Sequence, residues 1–228
     1  MMPNSKAKEF FAAIKEGKQE VVERLLREAP SLIHEKDNGL SPILVAAYNR
    51  HPEVANFVAE KVVALNIFEA AAIGKTNHIV LLLARAPQLV NAYSEDGYQP
   101  LGLASFFGHL ETARYLINAG ARVNSPSGNK MKVAPLHSAA AGRHAAVVKL
   151  LLEHGADPNA LQEGGFTPLH TAAQNGDLES IHMLLFHGAD ADAKSREGKT
   201  PIEYATENKK SEAVDLLKRG ITKRLRTR

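Results

Sequence analysis

The ten histidines of this 228-residue sequence are the residues that could most readily hold a metal or transfer a proton. Imidazole is a common zinc ligand and titrates near neutral pH. A zinc site needs three or four ligands that converge on one point, and the H-E-x-x-H motif that places two of them on one helix is absent. Because the chain has no cysteine, Cys-ligated zinc, a cysteine nucleophile and a disulfide framework are all excluded.

The spacing of the histidines argues against a shared metal ion. Several recur at a fixed interval, as in the pairs His137 and His170, and His154 and His187. Residues at the same position of stacked structural repeats lie roughly 10 Å apart, too far to share one ion. The sequence also lacks a nucleophile elbow, a phosphate-binding glycine loop and a dinucleotide fingerprint. We therefore predict a protein that is not an enzyme, with no metal site and no cofactor.

The elements that would position these histidines are short amphipathic helices, most clearly seen in residues 163–199. Thr167 can accept a hydrogen bond from an unpaired backbone N–H, and Pro168 has no N–H to leave unpaired, so the two predict a helix start. Gly176 predicts the end of that helix, and a second periodic apolar stretch follows from about Leu178 to His187. Neither helix can bury its apolar face alone, so further copies are expected.

The same pattern recurs along almost the whole chain. The positions equivalent to Thr167 have successive spacings of 33, 24, 34, 35, 33 and 33 residues, and they are Lys8, Ser41, Leu65, Gln99, Ala134, Thr167 and Thr200. The closest copies are TPLHTAAQNGDLESIHMLLFHGADADA from Thr167 and APLHSAAAGRHAAVVKLLLEHGADPNA from Ala134. In their TPLH-x-A-A core, LL pair and GAD-x-N closure, these strings resemble the ankyrin repeat.

The resemblance to the ankyrin repeat family implies an all-α fold. It implies a solenoid of about seven helix–turn–helix units that carry finger loops and are capped at both ends. We assign this domain to residues 4–220 and a basic C-terminal tail to residues 221–228. The resemblance also implies structural roles for His137 and His170, which would hydrogen-bond the Thr hydroxyl of the motif and neighbouring backbone.

The second unit departs from the repeat, because only 24 residues separate Ser41 from Leu65. We expect that its finger is missing and that its two flanking helices join by a tight turn near Ala64 to Asn66. Asn66 and Glu69 have the spacing of a capping box, so the third unit has its own helix start.

The resemblance further implies which residues face a partner. They are the residue just before each Thr-equivalent position and the residues seven and eight after it. We expect Tyr98, Phe106 and Phe166 at the centre of this surface, since buried aromatic anchors dominate many interfaces. The alternative for Phe107 and Phe106 is that they pack on a neighbouring finger. The predicted partner-binding residues are Leu40, Tyr48, Tyr98, Phe106, Phe107, Phe166, Gln174 and Asn175.

These features predict a non-catalytic scaffold that binds a protein partner on its concave face. The alternative is binding of nucleic acid or an anionic surface through the basic tail. The last eleven residues contain six Lys or Arg and no acid, and the rest of the chain has 22 basic against 25 acidic residues. Because the tail has no interleaved aromatics, we expect nucleic acid binding to be non-specific at most.

The two ends of the chain and its hydropathy predict a cytoplasmic location. The opening MMPNSKAKEFFAAIKEG is too polar for a signal peptide, and no apolar run has the length of a membrane span. The first and last units carry charged residues on the faces where no further unit would stack, which favours a monomer.

Overall fold

The computed structural model describes residues 5–226, and side chains for residues 5–220. This part contains fourteen α-helices in seven consecutive pairs, here called units one to seven, and no β-strand. The helices are α1 (Ser5–Lys15), α2 (Gln19–Glu28), α3 (Pro42–Tyr48), α4 (Pro52–Ala59), α5 (Ile67–Ala72), α6 (Thr76–Arg85), α7 (Pro100–Phe106), α8 (Leu110–Asn118), α9 (Pro135–Gly142), α10 (Ala145–Glu153), α11 (Pro168–Asn175), α12 (Leu178–Phe186), α13 (Pro201–Glu207) and α14 (Ser211–Arg226). The predicted all-α fold is confirmed.

The predicted start and stop signals act as expected in unit six. The Thr167 hydroxyl accepts the backbone N–H of His170, and Pro168 occupies the first helical position of α11. Gly176 ends that helix in the left-handed conformation, with φ of 68°. A residue with a side chain is strained there, which accounts for the glycine.

The helices form two rows around one continuous core. The first helix of each unit, the inner helix, packs on the inner helices of adjacent units. The second, outer helices pack on one another from α2 to α4 and from α6 through α14. The apolar core runs from Ala7 to Leu217. Leu151 and Leu184 are fully buried, as their repeat position predicts, whereas Lys218 at the position of Leu185 is exposed.

The connection between an outer helix and the next inner helix is called a finger here. Most fingers are 13 to 16 residues long, but only residues 60–66 join α4 to α5, so the missing finger is confirmed. The Asn66–Glu69 capping box is also confirmed. The turn starts at Glu60, earlier than predicted, and it places the buried Leu65 and the capping Asn66 at the start of α5.

The gap left by this finger brings non-consecutive units together. Lys36 in the finger before unit two forms a salt bridge with Glu95 in the finger before unit four. The hydroxyl of Tyr48 donates a hydrogen bond of 2.8 Å to Asp96 of the same distant finger. Units two and four are therefore tied by side chains across unit three.

Among the described helices, none has both the length and the apolar character that crossing a bilayer requires.

Candidate partner-binding surface

The histidines of the TPLH position hold fingers to inner helices. Nε2 of His170 donates to the carbonyl of Lys199 at 3.1 Å, and Nδ1 accepts the Thr167 backbone N–H at 3.1 Å. Nε2 of His137 donates to the Phe166 carbonyl at 3.1 Å. Both rings are buried, and burial lowers the pKa of each, to about 4 in His137. They remain neutral at physiological pH and act as structural hydrogen-bonding groups.

The histidines of the turn position join consecutive units. Nε2 of His51 lies 3.1 Å from the carbonyl of Lys15, and Nε2 of His109 lies 2.9 Å from that of Ala72. Each ring covers the turn glycine of the preceding unit, and a Cβ added to Gly17 would lie only 2.4 Å from the ring of His51. Glycine is required at this turn because the next unit's ring occupies the space of a side chain.

Within residues 5–220, no group of three or more His, Asp or Glu side chains could hold a metal ion. The predicted structural role is confirmed for His170, which bonds both the Thr167 hydroxyl and the backbone. For His137 only the bond to the backbone is found within these residues, because Ala134 at the Thr position has no hydroxyl to meet its Nδ1.

Five of the eight predicted partner-binding residues line one cavity of about 430 Å³ on the finger side of the inner helices. They come from units two, four and six and from the fingers between them, so stacking of distant segments brings them together. The five residues are Tyr48, Tyr98, Phe106, Phe166 and Gln174.

Tyr48 is held rigidly in the wall of this cavity. Its ring centroid lies 6.2 Å from that of Phe106 and 5.4 Å from that of Phe107. Burial, with the Asp96 carboxylate as the second cause, raises the pKa of the Tyr48 hydroxyl. The hydroxyl therefore stays protonated and donates to Asp96 at 2.8 Å. A fixed aromatic loses little conformational entropy when it contacts a partner.

Phe106 and Phe166 are both half-buried, and neither belongs to the apolar core of the described chain. Phe106 contacts the rings of Tyr48 and Phe107, with centroids 6.2 Å and 5.1 Å away. Phe166 packs on Tyr204, with ring centroids 4.8 Å apart. Each aromatic is therefore held by neighbouring rings while one side of it stays open to the cavity.

The other three predicted residues lie outside this cavity. Phe107 packs against the core, as the alternative interpretation expects, and faces a second cavity. Leu40 is also half-buried against the core, in the finger before unit two. The amide of Asn175 donates to the Ala140 carbonyl at 3.3 Å, so it joins α11 to α9. These contacts join units, and repeat position alone does not reveal them.

Sequence reasoning missed Met131, which lies in the same cavity wall and is 47% exposed. Its carbonyl accepts the backbone N–H of Glu163 at 2.9 Å, which holds it beside the next finger. The signal in the sequence was the extra residue in the finger before unit five, which is the longest of the fingers between the described helices.

Seven stacked helix pairs with projecting fingers define a helical-repeat solenoid, in which each unit is stabilised by its neighbours. The chain belongs to the ankyrin repeat family. A family model described as ankyrin repeats (3 copies) matches residues 67–162, and one described as ankyrin repeats (many copies) matches residues 151–205. Together they span residues 67–205, more than half of the chain. Repeats of this family generally mediate protein–protein interaction.

Proposed function

We propose that the chain is a non-catalytic scaffold that binds a protein partner in the groove between its fingers and inner helices. The observation that carries this proposal is the 430 Å³ cavity, in which Tyr98, Phe106 and Phe166 converge from separate units. Aromatic side chains at the centre of a concave surface have the large contact area that dominates many interfaces. We further propose that the protein is located in the cytoplasm and is a monomer.

The size of the surface fits this role. A standard protein–protein interface buries about 1,600 Å² in total, which a groove spanning units two to six can supply. The exposed Met131 adds a flexible apolar side chain that can adapt to the shape of a partner.

The test compares two triple variants in capture of partners from a cell extract. Replacing Tyr98, Phe106 and Phe166 by Ala should abolish capture of a partner that wild type retains, since each true anchor contributes at least about 2 kcal/mol. The matched control replaces Val63, Leu81 and Phe186 by Ala, because these apolar side chains are 101%, 62% and 78% exposed outside the groove. This control should retain the partner.

Two results would overturn the proposal. In one, the variant with Ala at Tyr98, Phe106 and Phe166 still captures the same partner, and its cooperative melting transition shows that it is folded. In the other, the control variant loses the partner while the groove variant retains it, which would place the interface outside the groove. Circular dichroism melts separate loss of binding from loss of folding, as Phe166 also packs on Tyr204.

The alternative function, binding of nucleic acid or an anionic surface through the basic tail, stays a prediction. The side chains of residues 221–228 lie outside those that the structure describes. This alternative predicts steeply salt-dependent binding of nucleic acid that is lost on deletion of residues 222–228.

A further inference from the structure

A second cavity, of about 560 Å³, lies at the opposite end of the inner helices, where α3, α7 and α9 terminate. Its apolar wall is formed by Tyr48, Phe106 and Phe107. Arg50 and Arg143 line it as well, and none of the residues that line it is Asp or Glu. The cavity therefore combines aromatic surface with positive charge.

The two arginines are not neutralised by the protein itself. Both are exposed, and within residues 5–220 neither guanidinium forms a salt bridge or a side-chain hydrogen bond. The other titratable side chains in the wall do not offset them either: burial lowers the pKa of His109 and of His144, so both rings are neutral at physiological pH. The net charge of the wall comes from Arg50 and Arg143.

The backbone at these two arginines has a conformation that glycine adopts more easily than other residues. Arg50 and Arg143 have φ of 63° and 62°, at the turn position that glycine holds in four other units. Lys209 has φ of 57° at the same position of unit seven. A cation at the end of a helix interacts favourably with its dipole, which accounts for a basic residue at any of these turns. It does not account for the aromatic wall, or for the absence of carboxylates among the residues that line the cavity with Arg50 and Arg143.

We propose that this second cavity binds an acidic peptide segment of the protein partner, in which carboxylates flank a large apolar side chain. Guanidinium groups bind carboxylates through paired hydrogen bonds, and the wall of Tyr48, Phe106 and Phe107 would take the apolar side chain. The inference rests on the proposed function, since Tyr48 and Phe106 belong to the walls of both cavities.

The probe is a short fluorescent peptide in which Glu alternates with Phe, and binding is measured by anisotropy. Three further probes serve for comparison. They are the same peptide with Lys in place of Glu, the same peptide with Ser in place of Phe, and an oligothymidylate. The Glu–Phe peptide should bind at least about tenfold more tightly than each of the others. Failure of this peptide to bind, or equal binding of the Lys peptide, would overturn the inference, and tighter binding of the oligothymidylate would assign the cavity to nucleic acid instead.

The variant for this test is the double substitution Arg50→Gly and Arg143→Gly. It removes both cations and places glycine where φ is positive, so the fold should be retained. Affinity for the Glu–Phe peptide should fall about tenfold or more. Lys209→Gly is the matched control, because it removes a cation from the same turn position away from the cavity, and it should leave affinity unchanged. Equal affinity of the double variant and wild type would overturn the inference.

This experiment also separates the two proposals. Phe166→Ala changes only the finger-side cavity, and the arginine variant changes only the second one. If the Phe166→Ala variant still captures the partner and the arginine variant does not, the finger-side proposal is overturned and this one is supported. The reverse pattern would do the opposite.

Discussion

At the scale of single residues, His137 and His170 occupy the same position of two units but have different partners. The Thr167 hydroxyl lies 2.8 Å from Nδ1 of His170. Ala134 holds the corresponding position before His137, and the buried Nδ1 of that ring has no hydrogen-bond partner in the described structure. A buried polar atom without a partner costs free energy of folding.

Ala134→Thr should therefore stabilise the protein by about 1 kcal/mol. The backbone is suited to threonine, since Ala134 has φ and ψ of −77° and 159° and Thr167 has −94° and 165°. The measurement is the free energy of unfolding in urea. Ala134→Val is the control, because valine has the shape of threonine without the hydroxyl. Equal effects of the two substitutions would show that the hydroxyl is not the cause.

Burial of His137 also predicts a pH dependence. Its pKa falls from 6.5 in the unfolded chain to about 4 in the folded protein, chiefly because burial disfavours the charged ring. Between these values the unfolded chain binds a proton that the folded protein does not, so stability falls as the pH falls from 6.5 to 4. The full loss from this group is about 3 kcal/mol. Titration of the His137 ring near pH 6.5 in NMR spectra of the folded protein would contradict this prediction.

At the scale of elements, asparagine side chains clamp the end of one unit to the next. Nδ2 of Asn124 donates to the Gly155 carbonyl at 2.9 Å, and Oδ1 accepts the Asp157 N–H at 2.8 Å. Asn91 and Asn159 make the same pair of bonds to the units that follow them. The Asn of the GAD-x-N closure is therefore explained by contact between units, since it pairs groups that the end of an outer helix leaves unsatisfied.

Asn124→Asp should destabilise the protein by about 1 kcal/mol, because the carboxylate cannot donate to the Gly155 carbonyl. The reverse change, Asp192→Asn, should be nearly neutral, since Asp192 holds the same repeat position before the last unit, which has no GAD segment to clamp. Urea unfolding of both variants checks the contrast. Equal effects at the two positions would show that the clamp contributes nothing to stability.

Several elements could be predicted from local sequence because their signals are local. The Thr167–Pro168 start, the Gly176 stop and the Asn66–Glu69 capping box each depend on backbone groups within a few residues. The end of α4 at Ala59 has no such signal. The next residues, Glu60 and Lys61, are good helix formers, so local propensity does not set this boundary.

The candidate site was predictable to the extent that it follows repeat position. Stacking places equivalent residues on one face, which is how Tyr98, Phe106 and Phe166 could be assigned to one surface. The structure shows that the three residues line one cavity. Asn175 was assigned by the same rule, yet its amide bonds the Ala140 carbonyl of the preceding unit. Such contacts depend on the distance between units, which the spacing of a sequence does not specify.

At the scale of the whole molecule, the junction between units two and three differs from those that follow. Within the described chain it has no finger, no asparagine clamp and no backbone hydrogen bond across it. Each later junction has a finger and at least one of the other two links. Packing of α3 on α5 and the side-chain ties of Lys36 to Glu95 and of Tyr48 to Asp96 hold it together. In a repeat protein, stability is roughly the sum of unit and junction contributions, so a weak junction lets one side open alone.

We therefore predict that α1–α4 open together at a lower free energy than α7–α12, as measured by native-state hydrogen exchange. Tyr48→Phe should lower the opening free energy of α1–α4 further, because it removes the hydroxyl that bonds Asp96 across the missing finger. Tyr115→Phe, in outer helix α8, is the matched control and should leave exchange in α1–α4 unchanged. The same opening free energy in every helix would show that the side-chain ties couple the two parts as strongly as a finger does, and the missing finger would then change the shape of the groove without creating a separate folding unit.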